Sequence, residues 1–540
     1  MDTNDYCNFF PGYSGNCVRL LTTSCLIAYL FSCDVQTDSV QNENTQRPFS
    51  TSYQPPVFAK DDRVEKIKDI APAVHQLFEA HSASRNIPGI AYGIVVDNEL
   101  VLASATGQIN LEKELPATIN SSFRIASMTK SFTAMAILKL RDEGKLSLDD
   151  PVENYLPEMS NLTYLTKDAP IIDIENLLTM TSGLPEDNPW GDRQLDEPDQ
   201  MLIDLIKAGV SFSNASSYRF EYSNLGYALL GNIVSQVSGK PYQEYIREHI
   251  FQPLGMEHTY WEYTNIPEDQ LVLGYRWEDE QWKLEPILHD GSFGAMGGLI
   301  TSIEDFSKYV SFHLSAWPPR SGEETGPVSR NALREMHTPQ FTGLNAQNTD
   351  RNGDPCPTMS GYGYGLGITR DCEGRIRVSH GGALPGFGSS YVFFPKYGVG
   401  VMAFGNLTYT GPLPFKEIEK LLFDSVGLQS RQLPVSDILL ERQQQVAQLI
   451  QNWDPGLEAE ILAENFYLDK SRDHRMSQVK EVLDKAGPIK SINAIEPHNQ
   501  LRGTFKIISE HGLINVFFTL TPELIPKVQQ IDVWFEAKPE

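Results

Sequence analysis

The residues best suited to chemistry stand in Phe123-Arg-Ile-Ala-Ser-Met-Thr-Lys-Ser-Phe-Thr-Ala-Met-Ala136. Ser127 and Lys130 lie where an apolar, extended run gives way to a helical pattern through Ile137, Leu138 and Leu140, closed by Gly144. Residues three apart on a helix share a face, so the amine can reach the hydroxyl. The helix N-terminus adds unpaired N–H groups and the positive end of a dipole, which favour a nearby oxyanion. A serine so placed becomes a nucleophile if the lysine is neutral enough to take its proton. The S-x-x-K spacing does not decide this by itself, because serine is also a good N-cap. Ser477-Gln-Val-Lys480 repeats it in a charged stretch with no strand before it.

Acyl transfer also needs a proton for the leaving group. Tyr222-Ser-Asn224 offers a phenol and an amide just where another helix starts, and Leu229 to Gly239 continues that helical pattern. Tyr6-Cys-Asn8 and Tyr263-Thr-Asn265 share the spacing without that context. A third stretch, Ser379-His-Gly-Gly-Ala-Leu-Pro-Gly-Phe387, ends a predicted strand, and its glycines let a ligand approach backbone N–H groups closely.

Ser127-Met-Thr-Lys130, Tyr222-Ser-Asn224 and His380-Gly-Gly382, in this order and at these wide spacings, resemble the three motifs of the penicillin-recognising serine hydrolases. The resemblance is closest to the class C-like branch of β-lactamases, D,D-peptidases, D-aminopeptidases and related esterases. Leu177-Leu-Thr-Met-Thr-Ser-Gly-Leu-Pro185, Pro253-Leu-Gly-Met256 and Met296-Gly-Gly-Leu-Ile-Thr-Ser302 extend it, from about Val64 to Gly427.

The resemblance implies that Ser127 is acylated, with Lys130 as its proton acceptor or electrostatic activator. Tyr222 would shuttle the proton to the leaving group and from the deacylating water. Which of Lys130 and Tyr222 is the base stays open at this point. Asn224, His380, Gly381 and Gly382 would contact substrate, Asn224 also orienting Lys130. The backbone N–H groups of Ser127 and Ala383 would form the oxyanion hole. No cofactor and no metal are implied.

Two positions depart from the pattern. His380 replaces a lysine that class C β-lactamases usually keep for the substrate carboxylate, which favours a peptidase or esterase over a β-lactamase. Met180 replaces a common histidine and reads as structural, and the absence of an S-D-N motif argues against the class A branch. The expected activity is hydrolysis, through an acyl-enzyme, of an amide or ester in a D-residue peptide or small ester. The alternatives are a class C-type β-lactamase and a catalytically silent scaffold of the same fold.

The elements around these residues agree with that expectation. Strands at Gly89 to Val96 and Leu100 to Ala105 flank Asp97-Asn98-Glu99 as a hairpin. Four more, at Gly361 to Ile368, Arg375 to Ser379, Ser390 to Phe394 and Gly398 to Phe404, follow the helical middle of the chain. Strands that open and close a region with helices between them predict one antiparallel sheet built from both ends. The fold class is therefore α/β (α+β): a β-lactamase/transpeptidase-like fold, its antiparallel sheet flanked by helices and a helical subdomain, with a small C-terminal α+β domain. Val64 to His81 reads as a helix ahead of the first strand.

The chain has 540 residues, 41% of them hydrophobic, which is globular and too long for one core. A net charge of −26 excludes nucleic acid as a partner, and the acidic run from Glu186 to Asp199 reads as solubilising. The partner implied is a small-molecule or peptide substrate, and the sequence does not set the oligomeric state. Leu20 to Ser32 is apolar and ends in Leu30-Phe-Ser-Cys33, a pattern like an export segment with a lipoprotein-type cysteine. Export, with membrane anchoring through a lipidated Cys33, is the resulting expectation. The domains read as an export segment at 1–33, a flexible linker at 34–60, the hydrolase at 61–428 and an accessory domain at 436–540.

Two signals are set aside. Asn348 to Asp354 imitates a calcium loop but has Met359 where an acid belongs, and His258, His289 and His313 show no ligand spacing. Cys356 and Cys372 are expected as free thiols, because an extended Gly361 to Ile368 spans about 26 Å at the usual rise per residue and a bridge would require Asp354 to Ser360 to fold back along it.

Overall fold

A strand in the middle of the sheet shows how the fold is laid down. Gly89–Val96 is buried along its whole length, so both of its faces are covered. Ile90, Tyr92, Ile94 and Val96 face an outer layer with Val74 and Phe78, and the Phe78 and Tyr92 rings stack at 3.8 Å. Ala91 and Val95 face the opposite way, into the main core with Phe306, Tyr309 and Val310. The period of two along a strand makes this division.

The computed structural model describes residues 48–538. The export segment at 1–33, Cys33 and the first part of the linker lie outside the described residues. Among the described residues no helix is long and apolar enough to cross a membrane.

Among the described residues the main sheet has nine strands, all antiparallel. Gly89–Val96 pairs on one side with Glu99–Asn110 and on the other with Val399–Gly405, so the two ends of the region meet inside the sheet. The sheet continues through Phe387–Phe394, Ile376–Leu384, Gly367–Arg370, Thr358–Tyr362 and Gln340–Asn345. Helices Lys130–Asp142 and Asn224–Ser238 fill the middle of the chain. Lys130 to Leu138 is buried at every position, which explains why that helix carries no polar face.

Three expectations change. The Val64 to His81 segment is two helices, Arg63–Asp69 and Ala71–Ser84, because Pro72 cannot continue the first and suits the start of the second. The end of the linker is packed: Val57 and Gln432 exchange backbone hydrogen bonds of 2.9 and 2.7 Å. Phe58 lies against the guanidinium groups of Arg63 and Arg431.

The third correction concerns the cysteines. Cys356 and Cys372 form a disulfide, with Cα atoms 5.2 Å apart, and are not free thiols. Gly361 to Ile368 is not one strand. It turns through Gly363 to Leu366, with Gly365 at φ +69°, and splits into Thr358–Tyr362 and Gly367–Arg370. Met359 pairs with Arg370, so the flanking cysteines are brought opposite one another.

Residues 435–535 build a core of their own around Leu439, Val446, Phe505, Ile514 and Phe518. Around it stand the helix Asp437–Asn452 and the strands Arg502–Ser509, Gly512–Leu520 and Val528–Ala537. Two short strands, Ile489–Ile492 and Glu496–Asn499, both pair with Arg502–Ser509.

His313 and His337 make a buried pair with consequences in acid. Trp317 Nε1 donates to His337 Nδ1 at 3.0 Å, which puts the proton of His337 on Nε2. That proton is donated to His313 Nδ1 at 2.8 Å, so His313 carries its own on Nε2. Burial pushes His313 down to about 3 and His337 well below the usual imidazole value. Above about pH 6.5 neither folded nor unfolded chain is protonated here; below it only the unfolded chain takes up these protons. Stability should therefore fall as the pH drops from neutral, by up to about 1.4 kcal/mol per pH unit for each histidine. His313→Phe should flatten the acid limb of a melting-temperature profile, and an unchanged limb would refute this account.

Candidate active site

Ser127 sits in a 3₁₀ turn, Ala126–Thr129, that runs directly into the helix beginning at Lys130. Ala126 is held at φ +50°, a conformation disfavoured for residues with a Cβ, immediately before the nucleophile candidate. The turn is fixed from behind: Thr129 Oγ1 donates to Ala126 O, and Ser389 Oγ donates to Ile125 O at 2.6 Å.

Lys130 is fully buried, and its Nζ has three oxygen partners, with the Met296 sulfur farther off at 3.9 Å. These are Ser127 Oγ at 3.0 Å, Asn224 Oδ1 at 2.7 Å and Met296 O at 2.8 Å. Two of them only accept hydrogen bonds, so a neutral amine spends both its N–H groups on them and aims its lone pair at Ser127. Burial pushes Lys130 down to about 7, against the opposing pull of Asp192 and Asp187. The geometry thus leaves one orientation for the neutral amine, and the desolvation makes that form accessible near neutrality.

Tyr222 precedes Ser223, whose Oγ caps the helix Asn224–Ser238. The Lys130 Nζ lies 5.0 Å from the centre of the Tyr222 ring. Burial holds the phenol far above its usual range despite a hydrogen bond with Ser127, so it is protonated at rest. The Leu177 to Pro185 stretch supports this segment through its backbone, since Met180 O accepts from Glu221 N at 2.9 Å.

Both amide atoms of Asn224 are engaged. Oδ1 accepts from Lys130, and Nδ2 donates to Asn188 Oδ1 at 3.0 Å. Asp187 caps the same helix, accepting from the backbone N–H of Asn224 at 2.7 Å and of Leu225 at 2.9 Å. Part of the acidic run read as solubilising is thus a support for the site. Composition could not reveal that, because these carboxylates differ from solvated ones only in what the fold sets against them. Met296 O is likewise a partner that no side-chain pattern announces.

His380 to Ala383 lie on the strand Ile376–Leu384. The neighbouring strand Gly367–Arg370 pairs with it only as far as Ser379, so that edge is open from His380 onward. Gly382 passes so close to the nucleophile turn that a Cβ there would stand 2.2 Å from Ile125 O. Gly381 is unlike it, with nothing nearer than 3.7 Å. His380 Nδ1 meets Gly381 O at 2.5 Å, and Nε2 meets the Tyr362 hydroxyl at 2.9 Å. Burial, then the nearby Lys130, pushes His380 down to about 4. The ring is therefore neutral, with its proton on Nδ1 and Nε2 accepting from Tyr362.

The structure brings Ser127, Lys130, Tyr222 and Asn224 together, with His380 6.4 Å from Tyr222 between ring centres. The rival Ser477 and Lys480 are exposed on the helix Arg472–Ala486, and Lys480 pairs with Asp484 at 2.6 Å.

A family model described as Beta-lactamase matches residues 74–422. The chain belongs to the β-lactamase family. Its members share a serine-hydrolase fold, and the sheet with its helical middle is the β-lactamase/transpeptidase-like fold. The chain is 29% identical over 339 residues to Protein flp of Staphylococcus aureus (strain MW2), covering 62% of this chain and 61% of that relative's length. It is 33% identical over 254 residues to Beta-lactamase-like protein 2 of Dictyostelium discoideum, covering 45% of this chain and 46% of that one. In fold it is similar to the octameric penicillin-binding protein homologue from Pyrococcus abyssi. That match has a TM-score of 0.55 at 24% identity, over 86% of this chain and 98% of the other. A class C β-lactamase matches with a TM-score of 0.51 at 20% identity, over 70% of this chain and 100% of the other.

Proposed function

We propose that the protein is a serine hydrolase that cleaves an uncharged amide or ester through an acyl-enzyme on Ser127. The observation that carries this reading is the Lys130 amine, buried and held by two acceptor-only partners so that its free electron pair faces Ser127 Oγ. Lys130 is then the base, because Tyr222 is a protonated phenol at rest and has no electron pair of phenolate strength to offer.

As Ser127 Oγ attacks the carbonyl carbon, its proton passes to Lys130, and the backbone N–H groups of Ser127 and Ala383 receive the developing oxyanion. Tyr222 gives its proton to the departing group and is reprotonated from Lys130. Water then takes the place of the leaving group, and the same relay runs in reverse to release the acid and restore Ser127.

The neutral His380 supplies no cation for a substrate carboxylate, which favours a neutral ester or a D-residue peptide amide over a β-lactam. The Cys356–Cys372 disulfide supports action in an oxidising compartment outside the cytoplasm.

A fluorescent fluorophosphonate should label Ser127, and short-chain nitrophenyl esters or D-alanyl anilides should turn over faster than nitrocefin. Labelling with no turnover of any of these would favour a scaffold, and nitrocefin as the best substrate would favour a β-lactamase.

A further inference from the structure

Residues 435–538 contain a cleft of about 500 Å³ whose lining combines aromatic rings with cations. One wall is the helix Arg472–Ala486, and the other is Val528–Ala537, the last strand of its sheet. Ile531, Val533 and Phe535 alternate along that strand, but only Ile531 is buried; Val533 and Phe535 stay half-covered. The helix therefore leaves part of an apolar sheet face open to the cleft.

The charges there are unevenly committed. Glu481 is paired with Lys485 at 2.7 Å, and Asp532 accepts from Gln530 at 2.7 Å. Arg475 lies over the Phe466 ring at 4.3 Å and uses Nη2 on Asp469, while its Nε is buried without a partner. Lys470 is exposed at the cleft and has no ion pair among the described residues. In a chain of net charge −26, two cations with unused capacity beside aromatic walls are an uncommon arrangement.

We infer that this cleft binds a small organic anion with a planar apolar body. Arg475, lying over the Phe466 ring, keeps donors beyond the one given to Asp469, and a guanidinium suits carboxylate or sulfonate oxygens. Lys470 adds a second charge at the mouth. The body of the ligand covers the half-exposed Val533 and Phe535. The volume is within the range of ordinary small-molecule sites, roughly 300–1,000 Å³. The site is one of binding and not of chemistry, since the serine and lysine on its helix, Ser477 and Lys480, are apart from each other's use: Lys480 is held by Asp484.

The test is a fluorescence titration of the full chain with 1-anilinonaphthalene-8-sulfonate and with uncharged N-phenyl-1-naphthylamine, which has the same rings without the sulfonate. The sulfonate should bind saturably, and Arg475→Gln and Lys470→Glu should each weaken it about tenfold, the scale of one hydrogen bond to a charged group. The uncharged dye should bind at least about tenfold more weakly for the same reason. Fluorophosphonate labelling at Ser127 should be unchanged in both variants. Lys470 is exposed, so its replacement does not threaten folding. Wild-type affinity in Lys470→Glu, or equal binding of the two dyes, would overturn the inference.

Discussion

Lys130→Ala should lower the rate of covalent labelling at Ser127 by about 10²–10⁴-fold, the scale of a lost general base. Ser127→Ala should abolish labelling altogether while leaving the melting temperature nearly unchanged, since it removes one oxygen. The wild-type profile against pH is the sharper measurement. When Lys130 is protonated its three N–H groups face three oxygens, and no electron pair is left for the serine proton. Its deprotonation near pH 7 creates the base. The labelling rate should rise about tenfold per pH unit below that midpoint and level off above it, as expected for one titrating base. A rate that is flat across neutrality, in a protein still folded, would remove Lys130 from that role.

Gly382→Ala should cost about 10²-fold in the same rate, whereas Gly381→Ala should cost little. The two glycines are adjacent in one motif, but their surroundings differ. A Cβ on Gly382 would meet Ile125 O at 2.2 Å, Ser389 Oγ at 2.3 Å and Ala126 Cβ at 3.0 Å. Two of those three belong to the turn that carries Ser127, so the strand and the nucleophile must move apart. A displacement near 1 Å between catalytic groups costs about 10²-fold in rate. On Gly381 the nearest atom is Ser389 O at 3.7 Å, an ordinary contact. Rate measurements on both variants, with melting temperatures as a check on folding, separate the two positions. Equal rates in both would show that the close approach does not matter to catalysis.

These predictions rest on different kinds of information. That Ser127 and Lys130 share a helix start was legible in the chain, because three residues of separation fix that geometry locally. So was the antiparallel sheet built from both ends of the region, since strand and helix periods are written in the spacing of apolar residues. The path between Tyr362 and Gly367 was not. A glycine-rich run of that length can extend or turn, and only the packing of Gly365 against Ser131 selects the turn that joins Cys356 to Cys372.

The support of the site comes from contacts between segments far apart in the chain. Asp187 and Asn188 look like members of a solvated acidic run until the helix Asn224–Ser238 places its N–H groups and the Asn224 amide against them. The same holds for the protonation states. Lys130, Tyr222 and His380 have ordinary side chains whose charges are set by burial and by neighbours far away in sequence. Local spacing can name an acid or a base, but only the assembled fold sets which one holds the proton.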